Sequence, residues 1–123
     1  MPSILVLSLI CLALAARSQT SSLGLQVSPT TIDFGETAVQ SDSPTRKITV
    51  SNPTQSVIMI EQILASGIDF AQKNDCAQRL AAGVQCTIQV SFTPAVPGPR
   101  MGSLEVMEAN GNPHFVALTG IGR

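Results

Sequence analysis

The sequence predicts an all-β fold: an immunoglobulin-like β-sandwich of about seven strands, preceded by an N-terminal signal segment. Three observations carry this expectation. Apolar and polar residues alternate with a period of two in short runs. Prolines and an Asn-Gly pair stand between those runs. Helical spacing is hard to find after residue 22; the best stretch, "QRLAAG", stops at Gly83.

The chain opens with "ILVLSLICLALAA", Ile4 to Ala16, apolar except for Ser8. It is short for a membrane span, which needs about 20 residues. It has the length of a secretory apolar region, and Ala13, Ala15 and Ala16 supply the small residues of a cleavage site. No Lys or Arg precedes Ile4. Cys11 follows the large Ile10, where a lipid-attachment signal wants a small residue. The expected organisation is a signal peptide over 1–16, a linker over 17–22 and one sandwich domain over 23–123.

Strands are expected near 23–28, 31–35, 45–51, 57–64, 84–92, 102–108 and 114–120. In "LQVSPTTIDFG", Pro29 breaks what would be one long strand, as expected where an edge strand crosses between sheets. In "RKITVS", Ile48 and Val50 alternate with polar neighbours. "SNPTQS" then turns into "VIMIEQI". In "CTIQVSF", Cys86, Ile88, Val90 and Phe92 share one face, and Thr87, Gln89 and Ser91 the other. "TPAVPGPRMG" reads as a proline-rich corner outside any ladder. "SLEVMEA" and "HFVALTG" flank "NGNP", a strong hairpin signal.

The composition restricts the core and the partners. There is no Trp, no Tyr and only four Phe, so the core must be mainly aliphatic. Phe34, Ile48, Val50, Ile58, Ile60, Ile88, Val90, Phe92, Leu104, Val106, Val116 and Leu118 are expected to share one interior. Met59 and Ile63 fall off that inward set and are expected on an exposed or pairing face. Seven Lys and Arg against eight Asp and Glu give a formal net charge of −1. Without a basic block or stacking aromatics, nucleic acid is not an expected partner.

Several segments together resemble a known family. They are "VSPTTIDFGETAV", "RKITVSNPTQSVIMIEQI", the run from "GIDF" through Cys76 and Cys86 to "GSLEV", and the closing "VALTGIG". In order and spacing they look like the immunoglobulin-like ASH domain (the ASPM–hydin type), whose bacterial branch is labelled choice-of-anchor D. The resemblance covers about residues 25–122. It implies a non-catalytic sandwich, repeated in large exported bacterial proteins and found in ciliary and centrosomal scaffolds.

Cys76 and Cys86 admit three readings: a staple, free thiols, or part of a metal or redox site. Cys86 begins an inward-facing strand, and the intervening segment is long enough to loop back. In an oxidising compartment such a pair is expected to bridge. A redox pair wants Cys-x-x-Cys at a helix start, and zinc wants four ligands, yet the chain has one His. A disulfide is the expected state, with no metal and no cofactor.

Other chemistry finds little support. His114 is expected as an exposed residue at a strand start. Glu105 and Glu108 are expected on opposite faces or near a turn, not as a glycosidase pair. Asn52-Pro53-Thr54 fails as a glycosylation sequon because its middle residue is Pro. The expectation is a protein that is not an enzyme: an exported module, secreted, periplasmic or at the cell surface, with a structural or protein-interaction role. Its partner would be an unidentified protein or envelope component, with no small-molecule substrate. Membrane contact would come only through an uncleaved N-terminal segment. The alternative is a periplasmic pilus-type chaperone acting by strand donation.

Overall fold

A computed structural model describes residues 24–123, so the signal and linker expectations lie outside the described residues. Nine strands run in order as β1 (Gln26–Ser28), β2 (Thr31–Thr37), β3 (Arg46–Ser51), β4 (Ile58–Ser66), β5 (Phe70–Asn74), β6 (Arg79–Leu80), β7 (Gln85–Phe92), β8 (Gly98–Glu108) and β9 (Pro113–Gly122). They form a four-stranded sheet, β1-β3-β7-β5, and a five-stranded sheet, β2-β9-β8-β4-β6. This is an all-β immunoglobulin-like sandwich, and no helix occurs among the described residues.

The seven expected strands are all present, and β5 and β6 are added. Neither addition carries a clear alternation signal. β5 holds Phe70 as its one large apolar residue, and β6 is two residues long. Their strand character comes from partners: β5 pairs with β7, and β6 pairs with Ile58 and Met59 of β4.

Pro29 marks the sheet switch. β1 lies antiparallel to β3, and after the cis Ser28–Pro29 bond β2 lies parallel to β9 in the other sheet. The proline-rich corner is corrected in part, because the β8 ladder begins at Gly98 and includes Pro99. The Glu108 N–H bonds the Asn112 carbonyl, so even residues of β8 face β9 and odd ones face away. Pro99 thus turns its missing donor to the side where β4, paired with β8 only as far as Ser103, has ended.

All the expected core residues face the interior, and ten of the twelve are fully buried; Phe34 and Ile58 are partly buried against the cluster. Leu25, Ile32, Phe70 and Leu80 join them. Ile63 is a correction. A bulge between Ile60 and Gln62 inserts one residue, so Ile63 and Ala65 turn inward against the core. Met59 is half-buried beside β6, with Arg79 Nη1 3.7 Å from its sulfur.

Three of the four phenylalanines form one cluster. Phe34, Phe70 and Phe92 stand with ring centroids 5.1–5.9 Å apart. Gly120 and Gly102 let the five-stranded sheet approach these rings. A Cβ at Gly120 would strike the Phe92 ring, and one at Gly102 would meet Phe70 and the Ser66 carbonyl.

Candidate functional site

The two cysteines are joined. Cys76 and Cys86 lie 5.0 Å apart at Cα with sulfurs at 2.04 Å, linking the β5–β6 connection to β7. Local bonds seat the bridge: Asn74 Oδ1 accepts from the Cys76 N–H, and Asp75 Oδ1 from the Thr87 N–H. Asp75 and both sulfurs lie within 4.8 Å of one another. With the sulfurs bonded to each other and the carboxylate engaged, this trio is a staple rather than a ligand set.

His114 departs from expectation, and its partner is Glu108. Glu108 is buried, and its Oε2 lies 2.6 Å from His114 Nε2. The same oxygen accepts from the Leu25 N–H at 3.2 Å and from Asn112 Nδ2 at 3.3 Å. His114 is thus a largely covered partner, not an exposed strand start. Strand phase explains this, since both residues sit on the inward face of the β8–β9 hairpin. Glu105 lies on the outward face, so the two glutamates are on opposite faces as expected.

Asp69, one of the acids scattered along the sequence, is a second buried carboxylate. Asp69 follows the tight turn after β4; its Oδ1 accepts from the Ala95 N–H at 2.8 Å, and its Oδ2 from Arg100 Nε at 2.7 Å. Burial works to raise this carboxyl, but the Ala95 N–H and the Arg100 guanidinium outweigh it and hold it below its ordinary value.

The open sheet edges are all short or blunted. β1 has three residues and ends at Pro29. On β2, a bulge interrupts the strand and Arg46 Nη1 donates to the Asp33 carbonyl. On β4, β6 covers Ile58 and Met59, and Gln72 Nε2 of β5 donates to the Ile63 carbonyl. β5 itself presents Lys73.

The two outer faces differ sharply. The four-stranded sheet shows Lys47, Thr49, Thr87, Gln89, Ser91 and Lys73, with no large apolar side chain. The five-stranded sheet exposes Leu64, Met101, Phe115 and Ile121. Phe115 is 57% exposed and Met101 78% exposed. Register sets them along one strip with polar residues interspersed: Leu64, Glu105 and Phe115 form one row, Ser103 and Ala117 the next, and Met101 and Ile121 lie beyond along β8 and β9. Alternation in "SLEVME" and "HFVALTG" already placed Phe115 opposite in phase to Val116, but its outward neighbours could be assembled only across strands.

No protein-family model matches the sequence, and no curated protein does. Solved structures do match in fold. A secreted serine protease, VesC from Vibrio cholerae, is 17% identical with a TM-score of 0.63, over 81% of this chain and 23% of that one. The ASH/PapD-like domain 7 of human CEP192 is 12% identical with a TM-score of 0.61, over 83% and 87% of the two chains. The periplasmic chaperone SfaE is 10% identical with a TM-score of 0.56, over 81% and 58%. The shared property is the immunoglobulin-like sandwich fold.

These likenesses correct one expectation. A protein that is not an enzyme was expected, yet the same sandwich forms part of a secreted serine protease. The lack of a nucleophile–base pair in one sandwich speaks only for that sandwich. Chemistry carried elsewhere in a longer chain leaves no mark on it.

Proposed function

We propose that this protein is an exported immunoglobulin-like module with a structural or protein-interaction role, related to the choice-of-anchor D branch of ASH domains. It makes contact through the outer face of its five-stranded sheet. The carrying observation is the strip that exposes Leu64, Met101, Phe115 and Ile121, set against an opposite face with no large apolar side chain. Large exposed apolar side chains gathered on one face of a small domain mark a contact site. Export is supported by the leader at 1–16, by the Cys76–Cys86 bridge, and by the exported setting named for VesC and SfaE. Strand donation in the manner of a pilus chaperone has less support, because the edges are short or capped.

A photo-crosslinking residue placed at Ala117, on the apolar face, is compared with one at Gln89, on the polar face, in the secreting host. Adducts from Ala117 and none from Gln89 are expected. Equal yields from both faces, or none from Ala117, remove the reading. Intact mass of the recovered protein checks the leader, with the mature chain expected to start near Ala16 or Arg17.

A further inference from the structure

We infer that this outer face docks an apolar protein surface bearing a lysine or arginine, with Glu105 as the residue that selects for that cation. The inference rests on the reading of the five-stranded face as the docking surface, and it adds the chemistry of the occupant.

Glu105 stands at one end of the strip, opposite Leu64 on one side and Phe115 on the other. It is half-buried between them. No hydrogen bond or ion pair engages its carboxylate among the described residues. A partner with only apolar groups would strip water from that carboxylate and return nothing, which is costly. The occupant must therefore supply a donor at this point, and a cationic one compensates the lost hydration best.

The surrounding charges agree. Asp33 and Glu36 of β2 border the same face, each beside β9 in register with Thr119 and Ile121. Arg100, although on β8, is turned inward to Asp69. Lys47 and Lys73 lie on the opposite outer face. The bases stand only at the margins of this face among the described residues: Arg123 past the end of β9, Arg46 reaching the Asp33 carbonyl at the β2 edge, and Arg79 of β6 beside Met59. Around Leu64 and Phe115 the face is thus apolar with an acid and no base in the row, and the bases lie at its margins.

This pattern separates the occupants. An anionic lipid surface would be repelled. A second copy of the chain, packed face to face, would bring its own Glu105, Asp33 and Glu36 against these acids. A protein surface with apolar side chains and a basic group meets both requirements.

The test uses the oxidised mature protein and two synthetic amphipathic peptides of identical apolar content. One carries Lys and the other Glu at the polar positions, and affinities are measured by calorimetry at low and high salt. The Lys peptide is expected to bind at least about tenfold more tightly than the Glu peptide, with the advantage shrinking in salt. Glu105→Gln should abolish that preference, and Glu105→Lys should reverse it. Phe115→Ser should remove binding of both peptides while circular dichroism and the thermal midpoint stay unchanged.

Equal binding of both peptides, lost on Phe115→Ser, overturns the role of Glu105 and leaves the docking face standing. Lys-peptide binding unaffected by Phe115→Ser, or no binding of either peptide, overturns both. Concentration-dependent dimerisation of the wild type that disappears in Phe115→Ser assigns the face to a second copy and also overturns the inference.

Discussion

Glu108 Oε2 and His114 Nε2 lie 2.6 Å apart at the inward end of the β8–β9 hairpin, and the same carboxylate oxygen holds the Leu25 N–H that leads into β1. One buried side chain thus joins the hairpin of one sheet to the first strand of the other. Asn112 of the turn adds a third donor.

Replacing Glu108 with Ala leaves the Leu25 N–H and His114 without their acceptor. A loss of about 3 kcal/mol is expected. Urea denaturation of Glu108→Ala and Glu108→Gln checks this, with the Gln variant retaining part of the stability. A loss under 0.5 kcal/mol in both would show that the cluster is not structural.

The Cys76–Cys86 bridge closes a short loop, so the double change to Ser should cost about 2–4 kcal/mol and leave the fold intact. Thiol titration of the oxidised mature protein should find neither cysteine reactive. Two reactive thiols would contradict the bridge.

Gly120 lies directly against the Phe92 ring. Gly120→Ala should destabilise the sandwich by about 1–3 kcal/mol through overpacking. The double variant Gly120→Ala with Phe92→Leu should lose less than the sum of the two single changes. Strict additivity would mean that the two residues do not share the space.

Asn52 is almost fully buried, and its side chain bonds Ser56, Leu80 and Thr54. Asn52→Ala should cost about 2–3 kcal/mol, because it takes the Asn52 partner from the Leu80 carbonyl and the Thr54 N–H where β3 gives way to β4. Thermal melting with the circular dichroism of the sheets monitored decides this, and an unchanged midpoint would refute it.

Acid should weaken the fold through Asp69. Its carboxyl is held below the ordinary value, so its contribution is present above the unfolded pKa and is lost as pH falls through the folded one. The wild type should lose stability from about pH 4 downward on this account. Asp69→Asn should be less stable at pH 7 and show a shallower acid limb. An identical acid limb in the two proteins would place the acid sensitivity elsewhere.

The sequence by itself determined the all-β class, the seven strands of clear alternation and most of the inward set, though not Leu25, Ile32, Phe70 and Leu80. The physical reason is local: a period of two states which side chains face inward, and Pro29 and Asn110-Gly111 state where the chain must turn. The bridge between Cys76 and Cys86 was legible because Cys86 stands in phase with Ile88 and Val90. Tertiary structure alone decided what depends on pairing between distant strands. β5 and β6 are strands because β7 and β4 supply their partners. Ile63 faces the core because one extra residue at the Glu61 bulge shifts the phase. Asp69 meets Arg100, and Glu108 meets His114, only after the strands are in register. The strip of Leu64, Phe115, Met101 and Ile121, with Glu105 at one end, likewise exists only once β4, β8 and β9 lie side by side. Side-chain alternation is written along one strand, but a surface is made across several.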